Sequence, residues 1–158
     1  MKNVLIAALL GLGLAAHGSA FAAGSASQNF NVSVSLTPAC VLGTVADISF
    51  TYTGLQAAAA TGSGGSFSIQ CTDHLPYSFS LDADAGSTVN GTSRTYTDLA
   101  TLLSYTLTTP DAGTGNGSSQ SLSLSSTMAA NQAGSCPSAT VCTNSASANR
   151  SRTLTITY

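Results

Sequence analysis

The apolar residues of this chain alternate with serine and threonine, and the alternation recurs along most of its length. Phe30, Val32, Val34 and Leu36 are separated by Asn31, Ser33 and Ser35. The same spacing links Ile48, Phe50 and Tyr52, then Phe67, Ile69 and Cys71, then Tyr77, Phe79 and Leu81. It returns at Leu103, Tyr105 and Leu107, more weakly at Leu122 and Leu124, and finally at Leu154, Ile156 and Tyr158. Successive side chains of a β-strand point to opposite faces, so period two predicts strands with one buried face and one wet face. Ser and Thr take the wet face, where β-branched Thr suits an extended backbone. No long 3.6-residue pattern competes, and residues 56–60 suffice for one helical turn only. Gly-, Ser- and Asn-rich breakers at 62–66, 84–91 and 110–119 separate the runs, and the last of these reads as a mobile loop. Short strands with such turns predict an all-β, immunoglobulin-like β-sandwich of antiparallel sheets.

The 158 residues correspond to one domain. Charged residues make up only 6%, against ~25% in an ordinary soluble domain, so hydroxyl groups supply the surface polarity. The four basic residues, Lys2, Arg94, Arg150 and Arg152, form no cluster. Nucleic acid and anionic lipid both require grouped Lys and Arg, so neither is an expected partner. A hydrophobic content of 43% is too high for a chain disordered throughout.

The N-terminus reads as a secretory signal peptide. Lys2 precedes an apolar run from Val4 to Ala16, which is shorter than the ~20 residues of a membrane span. Small residues at Ala20 and Ala22 predict cleavage after Ala22, with Ala23 as the second choice. The processed chain is then expected to be exported, with no membrane insertion.

Cys40, Cys71, Cys136 and Cys142 all follow that segment. In an oxidising compartment they read as two disulfides, with three possible pairings. The favoured set is Cys40–Cys71 with Cys136–Cys142, a long loop and a short Pro-containing one. Zinc ligation would need closer pairs than the C-x5-C found here.

Chemistry-bearing residues are sparse. His74 follows Asp73 directly, and neighbours on a strand or turn point in different directions, so a catalytic pair is disfavoured. Ser63 lies in Gly62-Ser-Gly-Gly and lacks the G-x-S-x-G spacing of a nucleophile elbow. Asp82-Ala-Asp84-Ala-Gly86 faintly suggests a calcium loop but lacks a third ligand and a distal Glu. With no Glu and six scattered Asp, a paired-carboxylate hydrolase is disfavoured. No catalytic residue, metal site or cofactor is expected. Arg94 is left to pair with an Asp or cap a turn.

The most regular run, Phe30 to Leu36, sits just beyond the predicted cleavage site. Taken alone, residues 28–37 fit the first strand of a self-contained sandwich. They also fit an arm that leaves its own domain to fill a neighbour's groove.

In its order of features the chain resembles the spore coat protein U domain family, the fold of pilin subunits of archaic, Csu-type chaperone–usher systems. The features are the signal peptide, the run Phe30-Asn-Val-Ser-Val-Ser-Leu-Thr-Pro-Ala-Cys40, and Ile48-Ser-Phe50 with Tyr52. Phe67-Ser-Ile-Gln-Cys71, Tyr77-Ser-Phe-Ser-Leu81, Arg94, Leu103-Ser-Tyr105-Thr-Leu107 and Leu154-Thr-Ile-Thr-Tyr158 follow. The resemblance implies an incomplete immunoglobulin-like domain that lacks its last strand and is completed by donor-strand exchange. Its boundaries would be a signal peptide at 1–22, a donor extension at 23–38 and the domain at 39–158. Phe30, Val32, Val34 and Leu36 would be the donor side chains, and Cys40–Cys71 the conventional disulfide. The implied partners are neighbouring subunits, a periplasmic chaperone and an outer-membrane usher. The implied role is a structural subunit of an adhesive pilus at the cell surface, supporting attachment and biofilm formation. Two features depart from the family pattern. Ala148-Asn-Arg-Ser-Arg-Thr153 stands where a Gly-x-Tyr-x-Asp stretch is usual, and Cys136 and Cys142 are additional. A non-pilus surface or spore-coat protein, and a small secreted binding module using the 110–119 loop, are the alternative readings.

Overall fold

Ser66–Cys71 shows how the alternation becomes structure. Phe67, Ile69 and Cys71 are buried, while the residues between them turn outward or lie at the margin. In the computed structural model, which describes residues 24–138 and 140–158, eleven strands occur in chain order. They are β1 (Cys40–Leu42), β2 (Ala60–Thr61), β3 (Ser66–Cys71), β4 (Pro76–Leu81), β5 (Thr88–Asn90) and β6 (Ser93–Thr97). β7 (Ser104–Thr108), β8 (Gly113–Thr114), β9 (Ser119–Ser123), β10 (Ser125–Met128) and β11 (Leu154–Thr157) complete the set. No helix occurs among the described residues. The predicted signal peptide, residues 1–22, lies outside them.

Three antiparallel sheets form, in the orders β1-β3-β9, β2-β10-β7-β6-β5 and β11-β4-β8. The first two are joined through the continuous β9–β10 segment, where the Leu124 amide donates to the Gly65 carbonyl at 2.9 Å. Against β3 packs β4, with Phe67 and Phe79 ring centroids 5.5 Å apart and Tyr77 and Phe79 5.4 Å apart. One core cluster holds Phe67, Ile69, Cys71, Tyr77 and Leu124. A second holds Leu81, Tyr96 and Leu107. The architecture is the all-β, immunoglobulin-like sandwich that period two predicts. The chain divides into two units, Met1–Ser35 and Leu36–Tyr158, and every strand lies in the second.

Several expectations fail. Residues 48–52 are not a strand: Ser49 makes one isolated bridge to Ser63, and no ladder continues from it. Ile48, Phe50 and Tyr52 are nonetheless half-buried, and the Tyr52 hydroxyl donates to the Ala129 carbonyl at 2.9 Å. Alternation there reports a buried side with a single hydrogen-bonded bridge in place of a ladder. Residues 56–60 form no helical turn, and Ala60 opens β2 instead. The predicted breaker at 84–91 contains β5, which returns as β6 through a two-residue turn opened by Gly91 at φ +60°.

The segment 110–119 is tied down at several points. β8 pairs with β4, the Gly115 amide donates to the Leu75 carbonyl at 2.8 Å, and Gly117 donates to Cys71 at 3.1 Å. Gly115 is buried, and a Cβ there would run into the Thr72 carbonyl. Close backbone approach, which only Gly permits, turns a low-complexity segment into a fixed one.

Candidate strand-acceptor edge

The last strand, β11, pairs with β4 alone, in the register Leu154↔Leu81 to Thr157↔Ser78. β1 likewise pairs only with β3. Among the described residues, no strand covers the other edge of either. Their inward side chains share the first core cluster. Leu42 from β1 and Leu154 and Ile156 from β11 pack on it, with Val45, Leu75 and Leu122, yet all stay only partly buried. A sandwich with both edges closed buries such positions. Here a margin of apolar surface lies beside two strand edges with unused backbone hydrogen-bonding capacity, the template for adding a strand.

The predicted donor residues form no strand. Phe30 is 84% exposed, Val32 74%, Val34 86% and Leu36 77%. Four large apolar side chains in water on one alternating segment are unlike the isolated surface Leu or Val of an ordinary domain.

Both favoured disulfides are present. Cys40–Cys71 joins β1 to β3 at the register pair of those two residues. Cys136–Cys142 closes a short loop in the 129–153 connection, with Val141 between the cysteines 90% exposed.

β11 is held at its start by a polar cluster. Arg152 donates to Asp84 at 2.7 Å, to Asp82 at 3.4 Å and to the Tyr105 hydroxyl at 2.9 Å. Its guanidinium also lies 4.2 Å from the Tyr96 ring centroid. The Thr153 amide donates to the Asp82 carboxylate at 2.9 Å, and the Asp82 amide returns a bond to the Thr153 carbonyl at 3.0 Å. Asn149 donates to Asp84 at 3.0 Å and to the Thr97 carbonyl at 2.9 Å.

The Asn149 amide and the Arg152 guanidinium hold the Asp84 carboxyl below its usual value, against a desolvation that works the other way. Burial opposes the charge on Arg152, but Tyr105 and Asp84 outweigh it and raise its pKa. Burial, with the Asp82 charge, pushes the Tyr96 phenol up to about 12. This cluster is where Asp82 and Asp84 go in place of the weakly suggested calcium loop. The departing stretch 148–153 becomes an anchor. Sequence reasoning missed it, although few charges and an Arg just before the last strand were visible signals.

His74 sits in a turn at φ +60°, with Nδ1 2.9 Å from Asp73 Oδ2, and both side chains are largely in solvent. Ser63 is the bridge partner of Ser49. Among the described residues, no group of three or more His, Cys, Asp or Glu stands close enough to hold a metal ion. No helix among them is long and apolar enough to cross a membrane.

No curated protein and no solved structure matches the chain. A family model does: the Spore Coat Protein U domain matches residues 26–155, most of the sequence. That family comprises structural, pilin-type domains found in surface pilus subunits of the chaperone–usher kind. The matched range takes in Phe30–Leu36 and β1 and reaches the first two residues of β11, and by it the chain belongs to the Spore Coat Protein U domain family.

Proposed function

We propose that this protein is a structural subunit of an adhesive pilus of the archaic, Csu type. It is exported through the periplasm and assembled at the cell surface by donor-strand exchange, where its filaments support attachment and biofilm formation. Residues 23–38 form the extension that fills the acceptor edge of the next subunit, with Phe30, Val32, Val34 and Leu36 entering its apolar margin. A periplasmic chaperone covers that edge before assembly, and an outer-membrane usher presents it for exchange.

One observation carries this reading: among the described residues, the chain holds an uncovered edge on β11 beside half-buried apolar residues, and an exposed alternating segment with no ladder partner. Each large side chain that becomes fully buried contributes roughly 1.5–3 kcal/mol, and each ladder bond about 0.5–1.5 kcal/mol. Ordering the extension offsets part of this. Chaperone–pilin complementation is an established instance of strand addition to a sheet edge. A head-to-tail contact of this kind is heterologous, so it propagates as an open filament. The low charge of the surface removes repulsion between identical neighbours.

The test moves residues 26–38 from the N-terminus to the C-terminus through a flexible linker. The rearranged chain is expected to be a monomer with a higher Tm than the parent. A parent chain that stays monomeric without a partner and melts at the same temperature would overturn the proposal.

A further inference from the structure

Arg94 differs from Arg152 in one respect that bears on binding. It lies on β6 opposite Val89 and Leu107, and Leu107 is 3% exposed, so the side chain starts from the inward face of its sheet. It is half-buried. Its one hydrogen bond among the described residues runs from Nη1 to Ser87 Oγ at 3.0 Å. That oxygen also accepts from the Asp84 amide at 3.1 Å, which fills its lone pairs. Among the described residues Arg94 makes no ion pair, whereas Arg152 makes two. A guanidinium has five N–H donors in a planar fork, and most of this one is unused.

Arg94 is one of the residues lining a surface cavity of about 100 Å³ between β4 and the β5–β6 hairpin. Phe79, Leu81 and Val89 give apolar wall, and Thr109 closes one side with its hydroxyl donated to the Thr92 carbonyl at 3.3 Å. No residue of β11 or β1 lines it. At ~30 Å³ per water, the space takes about three waters, or a carboxylate on one or two methylenes. A half-buried guanidinium with no ion-pair partner among the described residues favours an added anion, and a planar one with a short apolar stem suits a guanidinium beside an apolar wall.

We propose that the Arg94 cavity binds a small aliphatic carboxylate, either a free acid or an aspartate side chain of another chain. The site is independent of the acceptor edge, and its test does not depend on donor-strand exchange. Purified protein is titrated with propionate, with propionamide, and with an aspartate blocked as its N-acetyl methylamide, while the Arg94 Nε–Hε resonance is followed. A saturable shift with propionate, at least tenfold weaker with the uncharged amide, supports the site. Propionate binding measured by calorimetry should vanish in Arg94→Gln, persist in weakened form in Arg94→Lys and be unchanged in Arg150→Gln. Tighter binding of the blocked aspartate assigns the site to a protein side chain; tighter binding of propionate assigns it to a free acid. Equal responses to propionate and its amide, no saturable response to either carboxylate, or an Arg150→Gln variant that loses binding as Arg94→Gln does would overturn it. The wild-type resonance reads the site directly, so a variant that folds poorly does not protect the proposal.

Discussion

Phe30–Leu36 and Leu154–Thr157 have the same kind of sequence and different fates. Both alternate large apolar residues with small polar ones. The second lies in a ladder beside β4, with Leu154 and Ile156 packed on the core. The first pairs with nothing among the described residues and leaves its apolar side chains 74–86% exposed. Alternation therefore encodes which side of an extended segment wants burial. It does not encode a partner, because backbone hydrogen bonds look alike whatever the side chains are. Among the described residues Phe30–Leu36 has a face and no ladder neighbour, and β11 has one edge that no strand covers.

Breaking the first member of the comparison should give the largest effect. Val34→Asp places a charge on the face that the proposed exchange would bury, where an unpaired carboxylate is strongly disfavoured. Filaments viewed by electron microscopy should disappear, while the Tm of the monomer stays put, because Val34 is 86% exposed there. Normal filaments from this variant would exclude Val34 from the donor face.

The two disulfides sharpen the other side. Cys40–Cys71 closes a separation of 31 residues and fastens β1 to β3 beside the half-buried apolar margin. Chain entropy assigns it about 3.7 kcal/mol, against about 2.4 kcal/mol for the separation of 6 at Cys136–Cys142. Urea denaturation of the two double Cys→Ser variants should show the larger loss for the first pair. A reversed order would mean that the 136–142 loop braces the sandwich more than its exposure suggests.

Loosening the start of β11 should cost less. Arg152→Gln removes both ion pairs and leaves the Asp82 and Asp84 carboxylates without their shared cation, a loss of roughly 2 kcal/mol for a partly exposed cluster. The same cluster sets a pH dependence. The folded state holds Asp84 below its ordinary 3.8, so its contribution is complete above that value. The contribution is lost as pH falls through the lowered one. Asp98 behaves alike: burial works to raise it, but the Thr101 amide and hydroxyl win. Tm measured from pH 6 down to 2 should begin to fall near 4, and less steeply in Arg152→Gln.

Much of the fold was legible in period two. β3, β4, β7 and β11 fall where Phe67, Tyr77, Tyr105 and Leu154 mark alternating runs. β6 was missed because Ser93-Arg-Thr-Tyr-Thr97 carries one aromatic residue and a charge, yet Tyr96 is 1% exposed and among the most deeply buried residues. Its burial depends on a hydroxyl that reaches the Asp82 carbonyl at 2.8 Å, a partner fourteen residues away. Of the candidate site, the alternating apolar face of Phe30–Leu36 was readable and the open edge of β11 was not. An edge is defined by the strand missing beside it, which no local pattern records.

By itself, the amino-acid sequence determined the strand class, the apolar face of each run and a lightly charged, hydroxyl-rich surface. Pleating has a period of two residues, so these properties are written locally. Tertiary structure alone decided that Arg152 meets Asp82 and Asp84, that 110–119 is pinned against β4, and that β11 keeps one side uncovered among the described residues. Those outcomes join positions tens of residues apart or depend on which strands become neighbours, and the path of the folded chain sets both.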